Sequence, residues 1–533
     1  MLERSMCIKL TWKKFSATAL AAVMALSLAG CGGSKSDDAK ASGNKVLKFG
    51  VVNFADNLEP TNHAIGWTLT RYGLGETLIK FDEKMNVKPW IAESWSVADD
   101  KLTWTFKIND KAKFSNGNKV TAEACMSSIQ RTLDKSLEAK TWAQIASMKA
   151  EGQNLIIKTT KPTPGLPGVL GDPYFVIIDT SVKDRDILRK GPICTGPYIV
   201  ETFNQNKTVM KANPNYWDGK VPYDSVEIPS VNDPNTRAMA LQKGEIDVAV
   251  NVAYGDMPLF RDKKGYHVSE IASIRDCLAR MNVNEGRPLA DLRVRQALLS
   301  ALDRPTYCKS LLHNTYVPGG PAMPPTLDFG YNELKDPNTY NVERAKQLLA
   351  EAGWKDSDGD GFVDKDGKNL ELEYVIYTSR AELPIFAEAT QADAKKVGIK
   401  ININAVDYNV LDGIGTSGKY DLLISNILAE QAGSPINFMN MYWRTNVNGS
   451  NPQNGSGYSN AKYDALGAQY ISEFDESKRR QLIIDMQKIL LDDAATIIYG
   501  HPQTNIVSSS KVANVNIQAC DFYWLTKDWQ PAN

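Results

Sequence analysis

The sequence predicts an α/β protein with mixed sheets, on three observations. Residues 370–377, a helical stretch over 383–397 and the alternating Ile399, Ile401 and Ile403 form a strand, helix, strand unit whose spacing suits a parallel crossover. Two amphipathic helices carry their own start and stop signals. Asp291 caps one in which Val294, Ala297, Leu298, Ala301 and Leu302 fall at helical spacing before Pro305. Asn341 caps the other, which runs through Val342, Ala345, Leu348, Leu349 and Ala352 to Gly353, a residue suited to the left-handed position after a helix. Finally, Leu102, Trp104, Phe106 and Ile108 alternate with Thr103, Thr105 and Lys107, the pattern of a half-buried strand.

From the amino end, Arg4, Lys9, Lys13 and Lys14 precede an uncharged stretch over 16–29 made mostly of Ala, Leu, Val and Met. It is too short for a membrane span, which needs roughly 20 apolar residues, and suits a secretory h-region of about 7–15. Leu28-Ala29-Gly30-Cys31 follows and resembles the lipobox of bacterial lipoproteins. That resemblance implies a signal peptide over 1–30 and a lipid on Cys31. It places the protein on the extracytoplasmic face of the cell membrane, or in the periplasm of a two-membrane cell. Residues 31–43, rich in Gly, Ser, Ala, Lys and Asp, read as a flexible tether. Whether the chain starts at Met1 or Met6 stays open.

Without residues 1–30 the net charge is about −4, which argues against nucleic-acid binding. The remaining length suits two or three domains. Cys125, Cys194, Cys277, Cys308 and Cys520 are odd in number and widely spaced, so buried free thiols are expected rather than a disulfide framework or a metal knuckle. Late in the chain, a helix carrying Leu482, Ile483, Met486, Ile489 and Leu490 precedes a strand-like segment over 497–507. An aromatic tail with Phe522, Tyr523, Trp524 and Trp529 ends the sequence.

A series of phrases along the mature chain carries a wider resemblance. They are Ala92-Glu93-Ser94-Trp95, Leu102-Thr103-Trp104-Thr105-Phe106, Phe114-Ser115-Asn116-Gly117, Thr195-Gly196-Pro197-Tyr198, Asn213-Pro214-Asn215-Tyr216-Trp217, Gly244-Glu245-Ile246-Asp247 and residues 288–297. In order and spacing the chain resembles the family 5 extracellular solute-binding proteins, receptors for oligopeptides, dipeptides, nickel and related solutes. The resemblance implies a two-lobed fold of the type II periplasmic-binding-protein kind, with mixed sheets and an extra subdomain in the first lobe. It places lobe I at 44–76, 190–278 and 500–533, the extra subdomain at 77–189 and lobe II at 279–499. It further implies a monomeric, non-enzymatic receptor of an ABC importer, partnered by the permease subunits, with a short peptide as ligand or, alternatively, a nickel or other metal chelate.

The ligand cleft is read from residue types and position. In many peptide receptors of this family the segment after Tyr420-Asp421 carries an aspartate for the peptide amine; Gln431 stands there, and Glu430 takes the role only if the loop turns differently. Arg380, between Tyr377 and Glu382, offers a bidentate fork to a ligand carboxylate. Trp67, Tyr72, Tyr254, Tyr442, Trp443 and Arg444 are further candidates. Asp356, Asp358, Asp360 and Asp364 are spaced like a weak structural calcium loop around Gly361, but Gly367 stands where a bidentate Glu belongs, so a bare Asp-Gly turn is the competing reading. No cofactor is expected beyond that. Catalysis has little support: Ser417 lacks a nucleophile elbow, and His63, His267, His313 and His501 are scattered singly. A secreted hydrolase is the reading from another class.

Overall fold

A computed structural model describes residues 45–62 and 65–532. The stretch read as a signal peptide, Cys31, the stretch read as a tether and His63 lie outside the described residues.

The predicted crossover forms. Glu371–Tyr377 and Lys400–Val406 pair in parallel, from Glu371 opposite Lys400 to Tyr377 opposite Val406. The helix between them, Glu382–Lys395, buries Leu383, Phe386, Ala387 and Ala394. Leu422–Leu428 joins in parallel on the other side of Glu371–Tyr377, and Arg275–Met281 pairs antiparallel with it. Asp291 caps Leu292–Ala301 by accepting from the Arg293 N–H, and Asn341 caps Val342–Glu351 by accepting from Arg344. Gly353 takes φ +88°, open to glycine without strain. One stop signal acts differently from expectation. The first helix already ends at Ala301, and Pro305 sits in the first turn of the short helix Arg304–Thr306, where its missing N–H is not needed.

Thr103–Ile108 buries Trp104, Phe106 and Ile108 as its alternation requires. It belongs to a separate four-stranded antiparallel sheet ordered Ala92–Val97, Thr103–Ile108, Asn154–Thr159, Ile145–Glu151. With Cys125 and Ile129 from the helix Ala122–Lys135, this sheet has a core of its own.

The strand Thr496–Ser509 makes the molecule two-lobed. Its first residues pair with Arg280 to Cys277, within the sheet built on the crossover. Its last residues, Ile506 to Ser508, pair with Val250 to Val248. From there the sheet continues through Val46–Gly50, Ser225–Pro229, Lys207–Ala212 and Tyr198–Thr202. One strand thus threads both lobes, and the limits drawn at 278/279 and 499/500 fall inside the crossing strands. Leu47, Phe49, Val226, Val248 and Trp529 fill one core, and Leu298, Leu349, Leu372, Phe386 and Tyr499 another. A further apolar cluster joins Phe81, Cys520 and Phe522 of the first lobe to Met439, Trp443 and Ile483 of the second. The five cysteines are free and buried, and burial raises each thiol above its usual range. No described helix is long and apolar enough to cross a membrane.

Candidate ligand cleft

The helix Ile65–Arg71 sets one wall. Trp67 and Arg71, four residues apart, share a face. The Arg71 guanidinium lies 5.5 Å from the Trp67 ring centre and 4.6 Å from that of Trp524. Its Nε donates to the Asp521 carbonyl, and its Nη2 is 3.6 Å from Asp521 Oδ2. Arg275, opening the crossing strand, reaches the same oxygen from Nη2 at 3.2 Å. Burial by itself would push Asp521 up. The guanidiniums of Arg275 and Arg71 outweigh it and hold the carboxyl below its usual range.

The facing wall belongs to the second lobe. Arg380 and Glu382 stand where the strand ending at Tyr377 enters the helix Glu382–Lys395, and Glu382 occupies the first turn, where the helix dipole favours a carboxylate. Arg380 Nη1 is 4.0 Å from Glu382 Oε1 with the arginine side chain 40% exposed, a loose pair that leaves the fork open. Asn426 Nδ2 donates to Glu382 Oε1 at 3.1 Å, while its side-chain carbonyl is buried without a partner. Its backbone N–H donates to Tyr377 Oη at 3.3 Å. An unsatisfied buried acceptor costs about 1–3 kcal/mol, so this oxygen marks a position for a donor. Burial raises Tyr254 above its usual range, with the charge of Glu382 adding to it, and its ring stacks on His313 with ring centres 6.1 Å apart. Burial holds Arg275 below its usual range against the opposing pull of Asp521, and the charge of Arg380 adds to that depression. Among these five side chains, three guanidiniums stand against two carboxylates.

Glu430 lies at the seam between the lobes. It is 3% exposed, its Oε2 has no hydrogen-bond partner, and burial pushes it up to about 8. Next to it, Gln431 and Ser434 exchange backbone hydrogen bonds of 3.3 and 2.9 Å. This tight turn brings Ala432 onto the first lobe, so closely that a Cβ on Gly168 would lie 2.6 Å from the Ala432 oxygen.

Of the candidates, Trp67 lies under Arg71, Tyr254 and Arg380 lie by the Glu382 end of the second-lobe helix, and Glu430 and Gln431 lie on the loop that meets Gly168. The other candidates stand in different surroundings. Tyr72 is 1% exposed and stacks on Phe54 at 4.6 Å, a core residue of the first lobe. Tyr442 and Trp443 pack into the cluster joining the lobes, with Arg280 4.3 Å over the Tyr442 ring. Arg444 is exposed and spends its Nη2 on the Ser450 carbonyl. Arg71, Arg275, Asp521 and Asn426 were missed; the spacing of Arg71 from Trp67 was the one local signal for any of them.

Of the four calcium-loop aspartates, Asp356, Asp358 and Asp364 bring carboxylate oxygens within 4.8 Å of one another. Asp360 turns away to accept from Phe362 N and Asn369 Nδ2. Asp356 accepts from Gly359 and Gly361, and Asp364 from Ser357, bonds that an Asp-Gly turn makes by itself. His501 Nδ1 lies 2.5 Å from Asp276 Oδ1 with both side chains buried, and among the described residues its Nε2 has no hydrogen-bond partner.

The match to a family model decides the class: residues 86–450 fit the bacterial extracellular solute-binding proteins, family 5 middle. The chain belongs to this family. Receptors of this kind serve ABC importers outside the cytoplasm. The chain is 26% identical over 458 residues to the nickel-binding periplasmic protein of Escherichia coli (strain K12), covering 83% of this chain and 86% of that one. It is 29% identical over 417 residues to the oligopeptide-binding protein AppA of Bacillus subtilis (strain 168), covering 73% and 75%. Among solved structures, a nickel ABC transporter protein from Bacillus halodurans superposes with a TM-score of 0.78 at 26% identity, over 91% of this chain and 99% of that one. The two-lobed type II architecture of this solute-binding protein is the architecture of those structures.

Proposed function

We propose that the receptor captures a short, carboxylate-bearing peptide between its lobes and delivers it to a membrane permease without altering it. The observation that carries this is the open fork of Arg380, loosely paired at 4.0 Å with Glu382. Glu382 beside it offers a carboxylate to a ligand amine, and Asn426 Oδ1 an acceptor to a peptide N–H. A second reading, a nickel or other metal chelate carried by a carboxylate-bearing small molecule, is favoured by the nickel-binding relatives and by the uncharged Gln431. Native mass spectrometry of unrefolded protein, then calorimetry with mixed short peptides and with nickel plus histidine, separates the two. A retained nickel-bearing molecule with no heat from any peptide pool would overturn the peptide reading and leave the receptor standing.

Whichever solute binds, both walls contact it, so it selects the closed form. Small-angle scattering is expected to show compaction at saturation. Thermal unfolding should shift upward with concentration, corresponding to about 2.7 kcal/mol at a hundred times Kd. Saturation with neither effect argues against hinge closure. We further propose that Cys31 carries the lipid anchor of a monomeric receptor. Cys31→Ala is expected to release the protein from membranes or leave it as precursor, and an intact mass showing an unmodified amino terminus other than Cys31 refutes the anchor.

A further inference from the structure

The closing seam contains a carboxyl group with nothing to neutralise it. Glu430 sits on the second lobe, on a loop fixed from below by the Ala429 N–H donating to the Ile274 carbonyl. The same loop is pressed against the first lobe by Ala432 and Gly433, which meet Gly168 and the Phe81 ring. Around it the joining cluster is apolar, with Phe81, Ile274, Leu428, Ala429, Ile436, Cys520 and Phe522 drawn from both lobes. Glu430 makes no ion pair among the described residues, and its Oε2 is buried without a donor.

The titratable groups beside it are Tyr470 from the helix Ala461–Ser472 and Cys520 from the carboxyl-terminal tail. Burial raises both above their usual ranges, so neither bears charge near neutrality, and Arg479 directs its guanidinium to Tyr470, 4.1 Å from the ring centre. No cation bears on Glu430; burial is the sole influence on it. An isolated carboxylate in such surroundings is strongly disfavoured, and the group takes a proton instead. Where hinge opening separates this loop from Gly168 and Phe81, water would reach the carboxyl and favour its ionised form.

We propose that lobe closure in this receptor takes up one proton, at Glu430, so that closing and opening are coupled to pH. The inference rests on hinge closure and not on the identity of the solute. The sign follows from the linkage. Closed-state Glu430 is raised to about 8 from an ordinary 4.5, so the closed form binds the extra proton throughout that window and is favoured at its acid end. The preference falls tenfold per pH unit up to about 8 and then levels, roughly a hundredfold between pH 6 and pH 9. Asp172, next to Gly171 whose backbone meets the Phe81 ring, and Glu76 are also raised to about 7 by burial, and both are hydrogen-bonded within the first lobe, so the Glu430→Gln comparison is what separates their titration from that of Glu430.

The test needs no added ligand. Leu137→Cys and Val447→Cys, exposed positions on opposite lobes, carry spin labels while the native cysteines stay buried. Pulsed electron resonance then reads the ratio of closed to open distances at pH 6 and pH 9. The expected result is a fall of up to a hundredfold in the labelled receptor and less than about twofold when Glu430→Gln is added, the amide mimicking the protonated acid. An infrared difference spectrum between the unsubstituted and Glu430→Gln proteins at pH 7 should show the carbonyl band of a protonated carboxylic acid. Equal pH responses in the two proteins, or an unchanged carboxylic-acid band, overturn the proposal. Should Glu430→Gln fail to fold, the absence of any pH response in the labelled receptor alone overturns it.

Discussion

Replacing Asp521 by asparagine is expected to destabilise the receptor by about 3–5 kcal/mol, read as a lower urea midpoint at unchanged slope. Asp521 is the shared partner of two guanidiniums, at 3.6 Å from Arg71 and 3.2 Å from Arg275, and all three side chains are about four-fifths shielded from solvent. Asparagine keeps the shape and one acceptor but removes the charge, leaving both cations facing each other, and Arg380, across a dry region. The effect has a pH signature. Because the folded-state carboxyl is held below its ordinary value, its contribution is present above that value and is lost as pH falls through the folded one. The wild-type and Asp521→Asn curves should therefore diverge at pH 7 and converge as the medium is acidified below about 4. A difference under about 0.5 kcal/mol at pH 7 would mean that the trio behaves as a screened surface cluster and does not organise the cleft.

What the sequence made legible follows the range of the interactions involved. The strand at 103–108, the two capped helices and the parallel crossover are each set by side chains within a few residues of one another, and each formed. The segment over 497–507 also read as a strand. That it belongs to two sheets did not, because Thr496–Ser509 is buried along nearly its whole length and continuous burial shows no change of lobe. Similarly, Arg380 was recognisable from its flanking Tyr377 and Glu382, but the Arg71 and Arg275 contacts to Asp521 span 450 and 246 positions, and no local pattern announces them. Tyr442 and Trp443 show a different limit of local pattern. Buried aromatics fill cores and line clefts with the same chemistry, and only packing tells which, here through the edge contacts of Phe438 with Tyr442 and Trp443. The absence of charge at Gln431 is plain from its identity, whereas the tight turn it forms with Ser434, next to Glu430, depends on backbone geometry that residue identity does not specify.

Replacing Arg380 by alanine is expected to weaken solute binding by about 2–3 kcal/mol, roughly 30- to 150-fold, with little change in stability. The two effects separate because the guanidinium does little for the fold. Its one ion pair is loose at 4.0 Å, its side chain is 40% exposed, and Glu382 keeps a donor in Asn426 Nδ2 at 3.1 Å when the arginine is gone. Closing over a ligand changes its worth, because excluding water strengthens the same charge against a carboxylate brought into the cleft. Arg380→Lys makes the test sharper. Lysine restores the charge as a point and not as a planar fork, so it should recover on-rate and salt dependence while leaving most of the affinity loss in a faster off-rate. Calorimetry and stopped-flow kinetics on the bound solute, or on the peptide pool that gives heat, read both variants against the unsubstituted receptor. If Arg380→Ala binds within twofold of it while melting at the same temperature, Arg380 is a solvated arginine at a strand end, and the carboxylate of the solute is held elsewhere in the cleft.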